Sequence, residues 1–156
     1  IDIFCAFGNT ESSRAHLINT LKSIPGIKFV GGGNEYRLNY REYHQHIARS
    51  WLCPSNRGWG WDCVRHFEVP FHKTLMLLNH SPQIVPNPFE HEKHCIKYSS
   101  DLADLGPLVN YYLKDKKANE QLALAGYNHL RAYHTTNKRA EYFLDICQEK
   151  LGIKWK

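Results

Sequence analysis

IDIFCAFGNTESSRAHLINTLKSIPGIKFV, residues 1–30, changes its hydrophobic period twice, and that change sets the fold class. Ile1 to Phe7 is an apolar run of strand length, closed by the tight turn Gly8-Asn9. Leu17, Ile18, Leu21 and Ile24 then recur at the spacing of one helical face. Asn9 or Thr10 is placed to cap this helix, because a short side-chain oxygen satisfies the free N–H groups of a first turn. Pro25-Gly26 stops it, and Ile27 to Val30 reads as a second strand. The span therefore predicts a strand, a helix and a strand in succession.

The alternation continues downstream. Gly31 to Asn34 reads as a loop, Tyr40 to Ala48 as a helix and Trp51-Leu52-Cys53 as a short strand. A short helix starts at Cys63 and carries Arg65, Phe67 and Glu68, and Thr74 to Leu78 is apolar enough for a central strand. Ile84-Val85 is predicted as a brief extended segment and His94 to Tyr98 as a last strand. Three helices follow. Leu102, Leu105, Leu108, Val109, Tyr112 and Leu113 line the first, interrupted by Gly106-Pro107. Leu122, Ala125, Gly126, His129 and Tyr133 line the second, and Ala140, Phe143, Leu144, Cys147 and Leu151 the third.

Strands alternating with helices predict an α/β fold, a Rossmann-like doubly wound parallel sheet with a helical C-terminal third. Residues 1–156 are expected to form a single domain, and an opening at Ile1 without methionine suggests a piece excised from a longer protein. In such sheets ligands bind at the carboxyl ends of the strands, where the strand order reverses. The loops after Phe7, Cys53 and Leu78 are the candidates.

Composition narrows the function classes. The chain is 42% hydrophobic and 22% charged, as folded globular domains are. The apolar run Leu75 to Leu78 is far too short to cross a bilayer, and no secretory leader is visible. Five cysteines, odd in number and scattered, read as reduced buried thiols in a cytoplasmic setting. His91-x-x-His94 and Cys63-x-x-His66 lack the four ordered ligands of a zinc signature, so no metal is expected. The 20 basic residues against 15 acidic ones give a net charge of +5, which suits an anionic ligand. The lysines cluster at helix ends and do not alternate with aromatics, which disfavours a nucleic-acid-binding module.

The loop SNRGWGWDCVRHFEVP, residues 55–70, concentrates the candidate site. Its glycines permit close approach of a ligand, and the guanidinium forks of Arg57 and Arg65 suit a diphosphate. Asn56 adjoins Arg57. Trp59 or Trp61 is either a core aromatic or a platform for a base or sugar ring. Glu68 either pairs with Arg65 at i, i+3 spacing or accepts two hydroxyls of a ribose. Gly8 and Asn9 open the first helix, whose N-terminus offers N–H groups to phosphate, but they are not the three-glycine dinucleotide fingerprint.

These residues resemble a known family. Asn56-Arg57, Arg65-x-Phe67-Glu68, Pro88-Phe89-Glu90-His91-Glu92, Leu122-Ala-x-Ala-Gly126 and His134-Thr135-x-x-x-Arg139 are similar, in order and spacing, to the carboxyl-terminal lobe of GT-B glycosyltransferases. The spore-protein type of glycosyltransferase family 1-like domain is the nearest pattern. The resemblance implies a lobe that binds a nucleotide-diphosphate sugar such as a UDP or GDP sugar, with no cofactor and no metal required. It makes Glu68 the ribose-binding carboxylate, and Arg57 and Arg65 groups for the diphosphate or for loop ordering. It also implies a missing N-terminal lobe that contributes to an acceptor site, so that this lobe alone binds donor without turnover. The sequence departs from the family at Gly60, where many retaining members carry a second Glu, and at Phe71-His72-Lys73, where a small-residue turn is usual. A noncatalytic nucleotide- or partner-binding domain of the same fold is the alternative.

Overall fold

The computed structural model describes residues 1–8 and 10–152. Five strands, β1 (Ile3–Ala6), β2 (Phe29–Gly32), β3 (Leu52–Ser55), β4 (Leu75–Asn79) and β5 (Ile96–Tyr98), form one sheet in the order β2-β1-β3-β4-β5. Every neighbouring pair is parallel. Six helices connect and follow them: α1 (Ser12–Ser23), α2 (Tyr40–Ala48), α3 (Arg65–Phe71), α4 (Leu105–Lys114), α5 (Lys116–Tyr133) and α6 (Thr136–Leu151). This is the predicted Rossmann-like α/β sheet.

The two-residue period of the strands divides the core between two faces. Ile3, Cys5, Leu52, Leu75 and Leu77 point to one side, where Leu17 and Leu21 of α1 and Leu105 and Val109 of α4 cover them. Phe4, Cys53 and Met76 point to the other, against Ile47 of α2, Val69 of α3 and Leu130 of α5. Parallel strands buried on both faces explain why β4 reads as a continuous apolar run. Cys5, Cys53 and Cys95 are buried free thiols, and burial pushes the thiol of Cys95 up to about 12. No helix among the described residues is long and apolar enough to cross a membrane.

Several local expectations change in three dimensions. Gly31 and Gly32, read as loop, belong to β2 and pair with Cys5 and Ala6. The N-cap position of α1 is Glu11, without a side-chain cap bond, in place of the expected Thr10; Asn9, the other expected cap, lies outside the described residues. Ile84-Val85 forms no strand, and Ile84 is fully exposed. The strand expected from His94 starts at Ile96. Gly106-Pro107 does not interrupt α4, because both lie in its first turn, where a proline forfeits no intrahelical bond. The apolar face of α6 is not buried: Phe143 is 63% exposed, since the helix packs on the outside of α5.

A capping box that the sequence reading passed over starts α2. The Asn39 side chain accepts from the Glu42 N–H at 2.9 Å, and the Glu42 carboxylate accepts from the Asn39 N–H at 3.3 Å. Asn39→Ala is expected to cost about 1 kcal/mol of stability by urea unfolding. An unchanged midpoint would show that α2 is held by its packing alone.

Candidate functional site

The strand order reverses between β1 and β3, which places a crevice at their carboxyl ends. These two strands share the single register pair Ile3–Leu52, near their amino ends, among the described residues. Beyond it they are joined by side chains in place of a ladder. Arg14 of α1 is only 7% exposed, and its guanidinium donates to the carbonyls of Gly8 (2.9 Å), Asn56 (3.2 Å) and Arg57 (2.7 Å). Arg65 of α3 donates to the Ala6 carbonyl. The Phe7 ring lies between the two guanidinium groups, with their Cζ atoms 4.9 Å (Arg14) and 4.4 Å (Arg65) from its centroid. The partners of the two cations are carbonyls, a hydroxyl, the Cys63 side chain and rings, and among the described residues no carboxylate forms an ion pair with either.

A chain of polar groups leads from Arg65 to Glu68. Arg65 Nε donates to the Tyr43 hydroxyl at 2.8 Å, and that hydroxyl donates to Glu68 Oε2 at 2.9 Å. Burial pushes the Tyr43 phenol well up, so it stays a donor at every physiological pH. The other carboxylate oxygen, Oε1, lies 3.9 Å from His44 Nε2. His44 Nδ1 sits 2.8 Å from His72 Nε2, and burial, then the charge of His44, holds His72 below its ordinary pKa. Glu68 therefore does not pair with Arg65 directly. Tyr43 stands between them.

Arg57 faces another way. Its N–H donates to Asn56 Oδ1 and Asn79 Oδ1 at 2.9 and 3.1 Å, its guanidinium pairs with Glu11 at 2.5 Å, and its Cζ lies 4.8 Å from the Trp61 ring centroid. His66 secures the glycine-tryptophan loop. Its Nε2 lies 2.8 Å from the Trp61 carbonyl, which fixes the proton there, so Nδ1 accepts from Ser55 Oγ at 2.6 Å. Burial lowers the His66 pKa and keeps that neutral tautomer.

The candidate residues thus fall on two clefts. Gly8, Arg65 and Tyr43 line one of about 370 Å³ at the ends of β1 and β2. Asn56, Arg57 and Trp61 line one of about 330 Å³ at the ends of β3, β4 and β5. Glu68 is beside the first, behind Tyr43. Trp59 is 92% exposed and lines neither cleft, and Asn9 lies outside the described residues. A larger groove of about 660 Å³ lies between α5 and α6, away from the strand ends. Among the described residues no three His, Cys, Asp or Glu side chains converge as metal ligands would.

Arg14, Tyr43 and Glu11 were not singled out from the sequence, and His66 was weighed there only as part of a zinc-like spacing with Cys63. Arg14 left a signal, because it stands three residues before Leu17 and seven before Leu21, on the buried face of α1. An arginine on such a face needs buried acceptors. Tyr43 left a weaker one, four residues before the buried Ile47 on α2.

Residues 14–145 match the family model described as glycosyl transferase-like. The crystal structure of the C-terminal domain of a glycosyl transferase group 1 family protein (LpcC) from Francisella tularensis superposes with a TM-score of 0.54 at 13% identity, over 86% of this chain and 87% of that one. This is a likeness of fold. No curated protein matches the chain.

Proposed function

Because this chain belongs to the glycosyl transferase-like family, we propose that it is the donor-binding lobe of a GT-B glycosyltransferase and takes a nucleoside-diphosphate sugar at the crevice between β1 and β3. The observation that carries this reading is the Arg65–Tyr43–Glu68 chain at that crevice. Tyr43 occupies one oxygen of the Glu68 carboxylate and fixes its orientation, leaving Oε1 with acceptor capacity for the vicinal hydroxyls of a ribose. A charge-assisted hydrogen bond of that kind contributes about 1.5–3 kcal/mol.

The buried guanidinium groups explain how such a lobe would assist transfer. Breaking a sugar–phosphate bond leaves negative charge on the departing diphosphate. Arg14 and Arg65, held by carbonyls and a hydroxyl, raise the positive potential at the crevice before the substrate arrives. Arg57 adds a third guanidinium, and the N-terminus of α1 adds oriented N–H groups. With charge supplied by these groups the reading calls for no metal ion. A second lobe would contribute the acceptor.

Calorimetry with UDP, GDP and a short oligonucleotide tests the reading. One nucleoside diphosphate is expected to bind with a Kd between about 1 μM and 1 mM, that is roughly −8 to −4 kcal/mol. Glu68→Ala should weaken it by about tenfold or more. Equal affinity in that variant removes Glu68 from the site. Binding of the oligonucleotide in preference to both nucleotides replaces the donor reading with a nucleic-acid one.

A further inference from the structure

We propose that the amino-terminal edge of the sheet, at the opposite end from the crevice, is a docking face for the surface of an anionic lipid bilayer. It stands apart from the donor reading, because no residue of either strand-end cleft takes part. The helices that join parallel strands run back antiparallel to them, so their carboxyl ends gather at the strands' amino ends. In this chain that geometry collects cations. Lys22 lies in the last turn of α1, Arg49 caps the carboxyl end of α2, Lys73 follows α3, Lys114 ends α4, and Lys116 and Lys117 open α5.

Contacts place these residues on one face. Lys22 Nζ lies 5.7 Å from the Phe29 ring at the start of β2, and Lys116 Nζ lies 4.1 Å from the Trp51 ring just before β3. Arg49, Trp51 and Lys73 line a cleft of about 290 Å³ with Glu120 as its one acid. Asp115 is turned away, since its carboxylate accepts the Ala118 N–H at 2.9 Å as the cap of α5. Among the described residues none of the six cations forms an ion pair. Six cations against two acids leave an excess of four positive charges, most of the chain's net +5. The adjoining Lys28 and Asp2 add no net charge. Toward β5 the edge changes character, because Lys93 lies between Glu90 and Glu92 and pairs with Glu90 at 2.7 Å.

Helix stability explains only part of this charge. Lys22, Arg49 and Lys114 sit at carboxyl ends, where the helix dipole favours a cation. Lys116 and Lys117 take the first two positions of α5, where the dipole disfavours one, and no acid follows in that turn. Two cations held against the dipole and without a counter-ion fit a partner that brings its own anions. Phe71 says which kind. It ends α3 two residues before Lys73, in the segment where a small-residue turn is usual, and it is 54% exposed. An acidic protein or a nucleic acid would meet the same cations. A bilayer offers anions and hydrocarbon together, so the lysines and Arg49 face lipid phosphates while the ring enters the boundary beneath them.

The two contributions separate by salt. Each cation neutralised near an anionic surface is expected to weaken binding about fivefold at low salt. Arg49→Gln, Lys73→Asn and Lys117→Gln together should therefore lose about a hundredfold, and asparagine suits the left-handed backbone of Lys73, φ +55°. That charge-depleted protein should also lose most of its dependence on salt, since the attraction it lacks is the screened one. Phe71→Ser should weaken binding at least about threefold at low and high salt alike, because burial of a ring is not screened.

Co-sedimentation with phosphatidylcholine vesicles, with and without about 30% phosphatidylglycerol, tests the proposal on the whole chain. Capture by the anionic vesicles alone, lost in the charge-depleted protein, is the expected result. Circular dichroism checks that each variant folds, and the exposed single changes Arg49→Gln and Lys117→Gln decide the point if the combination unfolds. A control without Lys93, Lys138 and Lys150, each changed to Gln, has the same net charge and should bind as the unaltered protein does. No capture, equal capture by neutral vesicles, or equal losses in the control and the charge-depleted protein overturns the proposal. So does tighter binding of polyglutamate or an oligonucleotide than of anionic vesicles, unaffected by Phe71→Ser, which would make the face a site for a polyanion. UDP titration of the charge-depleted protein should match that of the unaltered one, so the donor reading stands or falls separately.

Discussion

Gly31→Ala is expected to abolish folding. Gly31 lies inside β2, in register with Cys5 of β1, and has φ +135°, a conformation that side-chain-bearing residues rarely adopt. At that angle a methyl group would not stand out of the sheet. It would point in the sheet plane, 1.7 Å from the carbonyl oxygen of Cys5 and 2.5 Å from its carbon. Neither atom can retreat, because Ile3 to Ala6 pair with Phe29 to Gly32 along this ladder while the side chain of Cys5 is packed in the core. Steric overlap with a backbone in the middle of a sheet exceeds what a few tenths of an ångström of relaxation can absorb. The cost should be more than about 5 kcal/mol, comparable with the entire stability of an ordinary domain. Gly26→Ala is the internal control. Gly26 also has positive φ, +74°, but nothing lies within 4 Å of its missing Cβ, so the loss there should be near 1 kcal/mol. Urea unfolding followed by circular dichroism measures both. A cooperative transition for Gly31→Ala at the unaltered midpoint would show that β2 does not pair with β1 in this register.

Arg14→Met should be nearly as damaging, and for an electrostatic reason. Methionine keeps an apolar stem beside Phe7 but withdraws the donors from three carbonyls on two loops. A buried acceptor that loses its partner costs about 1–3 kcal/mol, and the Asn56 carbonyl is the most deeply placed of the three, so a total near 3 kcal/mol is expected. Lysine should recover little. One compact ammonium cannot reproduce a planar fork that reaches acceptors 6 and 43 residues away in the chain. Because the same fork joins the loops after β1 and β3, ligand binding at the crevice should fall together with stability. Chemical unfolding with an unchanged m-value, alongside nucleotide titration, is the measurement. A loss below about 1 kcal/mol in Arg14→Met would mean that the loops are positioned by their own backbone and not by the guanidinium.

The fold was readable from the chain wherever it depended on local period. Leu17, Ile18 and Leu21 recur as a helix must if one side is buried, and Leu75 to Leu77 form the run that a strand covered on both faces requires. Those patterns placed α1, α2, α3 and the order of strands and helices before any contact was known. Gly31 and Gly32 were misread for the same reason that the others succeeded. Glycine carries no side chain to show a period, and only the pairing with Cys5 and Ala6 makes strand of them. The α6 face misled in the opposite sense, because a period predicts which side of a helix is apolar and not whether anything covers it.

At the candidate site the chain named residue types and the tertiary structure chose their partners. Two arginines and one acid within the loop at 55–70 indicated anion chemistry, yet Arg57 turns to Glu11, Arg65 to Ala6, and Tyr43 comes between Arg65 and Glu68. Composition and period are properties of neighbours in sequence, so sequence by itself determined the sheet, its helices and the end of it where a ligand would sit. Which buried donor meets which acceptor depends on groups 22 to 59 residues apart that approach only after the strands have paired. A buried polar group must find its partner wherever packing delivers one, and that delivery was decided by the folded structure alone.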